Sequence, residues 1–113
     1  MIKKNEKRIR LKKKIRVKIK GTATRPRLTI FRSNKFIYAQ VINDTTSKTL
    51  ASASDIKMTK GTKTERAKEV GATIAQICLK EKINQVVFDR NGFKYTGRIK
   101  LAADGARAAG LQF

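Results

Sequence analysis

Histidine and tryptophan are absent from this chain of 113 residues, and it has one cysteine, Cys78, and one proline, Pro26. Without histidine, neither a Ser-His-Asp nor a Cys-His nucleophile can be assembled, and a His-rich metal site is excluded. A single cysteine excludes a disulfide within the chain, and Cys78, set among apolar residues, reads as a small buried hydrophobe rather than a reactive thiol. No apolar run reaches the roughly 18 to 20 residues that span a bilayer. The basic N-terminus lacks the apolar core of a signal peptide, so a reducing, cytoplasmic location is expected. Acid is scarce as well: 8 Asp and Glu stand against 28 Lys and Arg, for a formal net charge of +20.

What is present begins with the run KKNEKRIRLKKKIRVKIKG, Lys3 to Gly21, in which Glu6 alone opposes eleven Lys and Arg. A surplus of that size repels itself and calls for an anionic partner, which is nucleic acid, an acidic membrane or an acidic protein. The arm has no wide aromatic face for membrane insertion, so no membrane partner is expected. Its shape is ambiguous, because Leu11, Ile15 and Ile19 recur at helical spacing while Ile15, Val17 and Ile19 also alternate like a strand. Mutual repulsion of its charges favours an arm that is disordered alone and orders along a polyanion.

Composition changes at GTATRPR, where Gly21, two threonines and Pro26 punctuate the chain and Arg25 is forced extended before proline. The expected organisation is a basic arm over residues 1–24 and one globular domain over 25–113, long enough for a single core. Strands are expected over Leu28–Arg32, Phe36–Ile42 and Thr49–Ser54, joined by short turns into an antiparallel meander. Thr62 and Glu65 stand in capping-box spacing and open a helix, whose apolar stripe is Ala67, Val70, Gly71, Ile74, Ile77 and Cys78. Gly71 in that stripe suggests that the helix closely approaches a sheet. QVVFD reads as a fourth strand, parallel to one of the meander because a helix precedes it. RIKLAADGARAAGLQF reads as an Ala-rich helix capped by Gly110. The fold class is therefore α/β (α+β), in the order β-β-β-α-β-α, with both helices on one face of a mixed four-stranded sheet.

The other face carries Tyr38 and Gln40 and is expected to lie partly open, where rings beside basic groups can stack bases. Along the arm, Lys3, Lys4, Lys7, Arg8, Arg10, Lys12, Lys13, Lys14, Arg16, Lys18 and Lys20 are the candidate phosphate contacts. Arg25, Arg27, Arg32, Ser33, Asn34 and Lys35 flank the first hairpin. Arg90, Asn91, Lys94, Tyr95 and Arg98 follow the fourth strand, beside glycines that let a ligand approach the backbone. Arg107 reads as part of a solvated helix face. A rival reading places Asp44 and Asp89 at strand ends as a magnesium-binding pair that cleaves nucleic acid. Asp44 sits in NDTTS, however, where turn formation is the ordinary role of aspartate, and an enzyme is not expected.

The runs RPRLTIFRSNKFIYAQVIND and VVFDRNGFKYTGRIKLAADGARAAGLQF, joined by a helix of this length, resemble the family of bacterial large-subunit ribosomal protein eighteen. The resemblance covers Arg25 to Phe113 and is densest at Phe88 to Phe93, Tyr95, Gly97 to Ile99 and Leu101 to Phe113. It departs from the family pattern at Thr96, where histidine is frequent, and in the short stretch between Ser54 and Thr62. The resemblance implies a structural constituent of the 50S subunit that binds 5S rRNA and helps attach it to 23S rRNA in the central protuberance. A neighbouring 5S-binding ribosomal protein is then the protein partner. It implies no cofactor and no small-molecule substrate, though magnesium accompanies RNA. The alternative is a nonspecific architectural nucleic-acid binder.

Overall fold

The computed structural model describes residues 4–18, 20–58 and 61–113. The elements run α1 (Lys4–Lys18), β1 (Arg27–Arg32), β2 (Ile37–Asn43), β3 (Lys48–Ser54), α2 (Lys63–Lys80), β4 (Val87–Asp89) and α3 (Gly97–Ala108). The sheet order is β3-β2-β1-β4, with β1 antiparallel to β2, β2 antiparallel to β3, and β4 parallel to β1. The expected order and the parallel fourth strand both stand. In the arm Lys4–Lys18 is helical, the first of the two spacings that its apolar residues left open. Lys, Arg and Leu are good helix formers, and repulsion along a charged helix is not enough to override that propensity here.

Alternation along β1 and β2 sorts their side chains. Leu28, Ile30, Ile37, Ala39 and Val41 are buried and meet Ala67, Val70, Ile74, Cys78, Ile99, Ala102 and Ala106 of α2 and α3. Both of these helices cover that one face, as expected. The β4 strand is shorter than QVVFD, and Gln85 instead forms an isolated parallel bridge to Gln112. At the opposite edge β3 runs free, starting at the exposed Lys48, and its pairing with β2 is interrupted by a register shift between Val41 and Ile42.

The helix termini follow from local chemistry. The Thr62 hydroxyl accepts from the Glu65 amide at 3.3 Å, and the Glu65 carboxylate accepts from the Thr62 amide at 3.3 Å, which completes the expected capping box. At the end of α3, Gly110 at φ 114° lets its amide reach the Arg107 carbonyl while the Leu111 amide reaches Ala106. That pair of bonds satisfies carbonyls the helix leaves open. Gly71 does mark a close approach, but to α3 rather than to the sheet. A Cβ there would run into the Ala102 carbonyl, and one on Gly105 would run into that of Lys68. The two helices therefore cross backbone to backbone.

Candidate nucleic-acid interface

Strand register places Arg27, Thr29 and Phe31 of β1 beside Ile42, Gln40 and Tyr38 of β2, all on the face turned away from α2 and α3. Asp89 of β4 lies next to Thr29, and Ser52 and Ser54 of β3 continue the same rows. Two antiparallel strands with apolar residues at alternate positions must send the intervening set to one surface. Here that set is polar and aromatic apart from Ile42. A groove of about 340 Å³ on this face is lined by Lys12 of α1 together with Arg27, Thr29, Phe31, Tyr38, Gln40, Ile42 and Asn91.

An aromatic cluster rims the groove. Phe31 lies 6.2 Å from Tyr38 and 5.6 Å from Phe93, the latter edge to face. The guanidinium carbon of Arg8 stands 4.5 Å from the Phe93 ring centre and 5.5 Å from that of Phe31, and Arg32 approaches Phe93 at 5.2 Å. Ring quadrupoles attract cations at such distances, so the rings hold two guanidinium groups that would otherwise repel. Phe31 remains 41% exposed, a large apolar ring left facing solvent.

One end of the sheet is closed by Arg27. Its Nε donates to Asp44 Oδ2 at 3.0 Å, its Nη2 to Asp44 Oδ1 at 3.2 Å, and its Nη1 to Asp89 Oδ2 at 2.7 Å. Burial opposes the charge of Arg27, but the hydrogen bonds and fields of Asp44 and Asp89 outweigh it and raise the guanidinium pKa. The carboxylates have further work. Asp44 Oδ2 accepts from the Gly21 amide at 2.7 Å, and the fully buried Asp89 accepts at Oδ1 from the Asn91 amide at 2.9 Å. Asp44 and Asp89 therefore embrace an internal arginine where the rival enzyme reading required a magnesium ion. Among the described residues no group of three His, Cys, Asp or Glu side chains could hold a metal.

The expected contact residues divide by placement. Lys12, Arg27, Tyr38, Gln40 and Asn91 are brought together at the groove. Lys7, Arg10, Lys13, Lys14, Lys20, Arg25, Arg32, Asn34, Lys35 and Lys94 are exposed, and Arg8 and Arg90 are half-buried. Lys4, Arg16 and Lys18 lie on α1, while Lys3 lies outside the described residues. Several candidates turn inward. Arg27 is committed to its two aspartates, and Arg98 Nη2 donates to the Ser33 carbonyl at 2.8 Å. Ser33 itself closes the hairpin, its hydroxyl accepting from the Phe36 amide at 3.1 Å. The Lys63 ammonium donates to the Asn34 carbonyl, so the loop is pinned from two helices. Asn91 is buried at φ 56°, and the Tyr95 hydroxyl accepts from Arg107 at 2.7 Å. Arg107 is exposed, as expected, and its guanidinium carbon also lies 4.3 Å from the Phe113 ring centre. Phe93 and Thr29 escaped the sequence reading of the site. Period-two alternation could have found Thr29, whereas the approach of Phe93 to β1 has no local signal.

The fold defines a small α+β protein, with a four-stranded mixed sheet covered on one face by two helices and carrying aromatic and cationic groups on the other. The chain belongs to the ribosomal L18 family: residues 2–113 match the family described as "Ribosomal L18 of archaea, bacteria, mitoch. and chloroplast". It is similar to the large ribosomal subunit protein uL18 of Thermotoga neapolitana, at 52% identity with 100% of both chains covered. Similar too are uL18 of Myxococcus xanthus, at 55% identity over 96% of each chain, and of Porphyromonas gingivalis, at 52% over 100% of each. These homologues are structural proteins of the large ribosomal subunit, which in bacteria is cytoplasmic.

Proposed function

We propose that this protein binds 5S rRNA as a constituent of the large ribosomal subunit and helps attach that RNA to 23S rRNA in the central protuberance, beside the neighbouring 5S-binding ribosomal protein. The observation that carries the reading is the groove that Lys12 lines together with Tyr38 and Gln40. A lysine there meets a phosphate, the ring stacks an unpaired base, and the Gln40 amide both donates to and accepts from a base edge or a 2'-hydroxyl. The division of labour follows from charge. Residues 1–24 supply most of the phosphate neutralisation, and residues 25–113 supply shape and base contacts. From the expected list, Lys7, Arg10, Lys12, Lys13, Lys14, Lys20, Arg25, Arg32, Lys35, Arg90 and Lys94 are the proposed phosphate contacts, with Tyr38 and Gln40 at the bases.

The test is a binding titration of the full chain against 5S rRNA, transfer RNA and duplex DNA of similar length across a salt series. A preference for 5S rRNA that survives in a Lys12→Gln/Lys13→Gln/Lys14→Gln variant, whose salt slope is shallower by about 1 for each phosphate contact removed, is the expected result. Equal binding of all three ligands by the unaltered chain would replace this reading with a general polyanion binder.

A further inference from the structure

We infer that Phe31 is a second stacking position beside Tyr38, and that the two rings together take two consecutive unpaired nucleotides of an RNA loop or bulge rather than a paired helix. This rests on the RNA-binding reading above and narrows the form of RNA that the sheet face accepts. Phe31 and Tyr38 are paired across β1 and β2, so their rings stand side by side on the face turned away from α2 and α3. Nothing in the core asks for a ring there. The apolar residues of β1 that the fold needs, Leu28 and Ile30, are buried on the other face, while Thr29 shows that a polar β-former serves equally well on the open one. A single exposed hydrophobe would carry no meaning. Phe31, however, touches both Tyr38 and Phe93, and the three rings make one continuous patch.

The geometry of the rings sets how bases fit on them. The centres of Phe31 and Tyr38 are 6.2 Å apart and their planes are inclined at 43°. A flat base cannot be sandwiched between planes so inclined, and each ring therefore takes its own base. Successive bases in a helix follow one another at about 3.4 Å, so two bases held at the spacing of these rings have left their mutual stack. Unpaired nucleotides do that without breaking a duplex. Phe93 meets Phe31 at 5.6 Å and 72°, edge to face, and holds the tilt of that ring.

The next row of the sheet supplies the groups that read a base edge. Thr29 pairs with Gln40, and both line the groove with Phe31 and Tyr38. A hydroxyl and a carboxamide can each donate and accept, which suits the bare Watson–Crick edge of an unpaired base. Arg32 is exposed, and its guanidinium carbon lies 5.2 Å from the Phe93 ring centre, which puts a cation beside the rings for the phosphate between the two nucleotides. The platform is also preset. Just past Arg32, the Ser33 amide donates to the Phe36 carbonyl at 2.8 Å and Arg98 Nη2 donates to the Ser33 carbonyl at 2.8 Å, so the strands that carry both rings are tied at their hairpin. Rings already held lose little freedom when bases arrive.

The chain has no tryptophan, so Phe31→Trp places a single indole at the site. The experiment follows its fluorescence against 5S rRNA, a single-stranded ribo-oligonucleotide and a fully paired RNA duplex. Alongside, the 5S rRNA affinities of the full-length unaltered chain, Phe31→Trp and Phe31→Leu are compared across a salt series. Leucine keeps the charge and an apolar side chain while removing the flat face. The expected result is quenching by 5S rRNA and by the single strand but not by the duplex, with Phe31→Trp binding as tightly as the unaltered chain. Phe31→Leu should bind 5S rRNA about tenfold more weakly with an unchanged salt slope. Full affinity in Phe31→Leu, an indole whose emission 5S rRNA leaves unchanged, or equal quenching by the paired duplex would each overturn the proposal. Failure of the unaltered chain to prefer 5S rRNA over duplex DNA would instead sink the functional reading, while quenching by the single strand would still report on the ring.

Discussion

Arg27 gathers three separated pieces of chain, because Asp44 follows β2, Asp89 ends β4 and Gly21 precedes the sheet. Its side chain and that of Asp89 are 11% and 0% exposed, so neither charge is compensated by water. Arg27→Met should therefore strip the buried Asp89 carboxylate of its arginine and lower unfolding free energy by about 3–5 kcal/mol, as measured by urea denaturation. Asp55 works similarly at the far end, where its Oδ1 accepts from the Ile37 amide at 2.9 Å and its Oδ2 lies 3.9 Å from Arg66 Nε. Cys78 offers a titration. Burial pushes its thiol up to about 11 from 9.0, and the residue is 0% exposed. Because the folded value is the higher one, its contribution is complete below pH 9 and is lost as pH rises toward 11. The unaltered chain should lose about 2 kcal/mol across that window relative to Cys78→Ala, and Cys78 should resist thiol reagents in the native state below it. Burial of Cys78 was legible from its apolar neighbours. The pairing of Arg27 was not, since Arg27 and Asp89 are 62 positions apart and nothing local distinguishes an inward arginine from an outward one.

Helices α2 and α3 meet through glycines at their crossing, Gly71 against Ala102 and Gly105 against Lys68. Alanine is the better helix former by about 1 kcal/mol, so an isolated helix would gain from Gly71→Ala. In the folded protein a Cβ at either position strikes a backbone carbonyl, which cannot swing aside as a side chain can. Gly71→Ala and Gly105→Ala should each destabilise by about 1–3 kcal/mol in thermal or urea unfolding, with the sign opposite to the propensity expectation. Elements with a period or a cap were readable: the Thr62–Glu65 box, the apolar stripe of α2 and the alternation of β2 all appear where the spacing puts them. Helix α1 was harder because Lys and Arg occupy most of its positions, and the few apolar residues fit a helical and a strand-like spacing equally well. The partner of Gly71 was misassigned for a related reason. A small residue signals close approach without naming what approaches.

At the scale of the whole molecule, +20 on 113 residues means that folding concentrates like charge. Added salt screens that repulsion, so the free protein should melt at a higher temperature as ionic strength rises, while its affinity for RNA falls over the same series. Opposite slopes in calorimetry and in binding would separate self-repulsion from counterion release. The polarity of the open face was legible from the Tyr38 and Gln40 alternation, whereas its depth depends on α1 and the turn after β4 arriving at the same place. The free edge of the sheet bears on what happens before RNA is met. A strand with unpaired amides and carbonyls is a template on which another copy can add. Here β3 begins at Lys48, and the irregular pairing at Val41 and Ile42 disturbs the regular ladder beside it. Two such edges approaching would also bring together two strongly cationic bodies. Charge and a broken ladder thus both oppose edge-to-edge addition of a second copy.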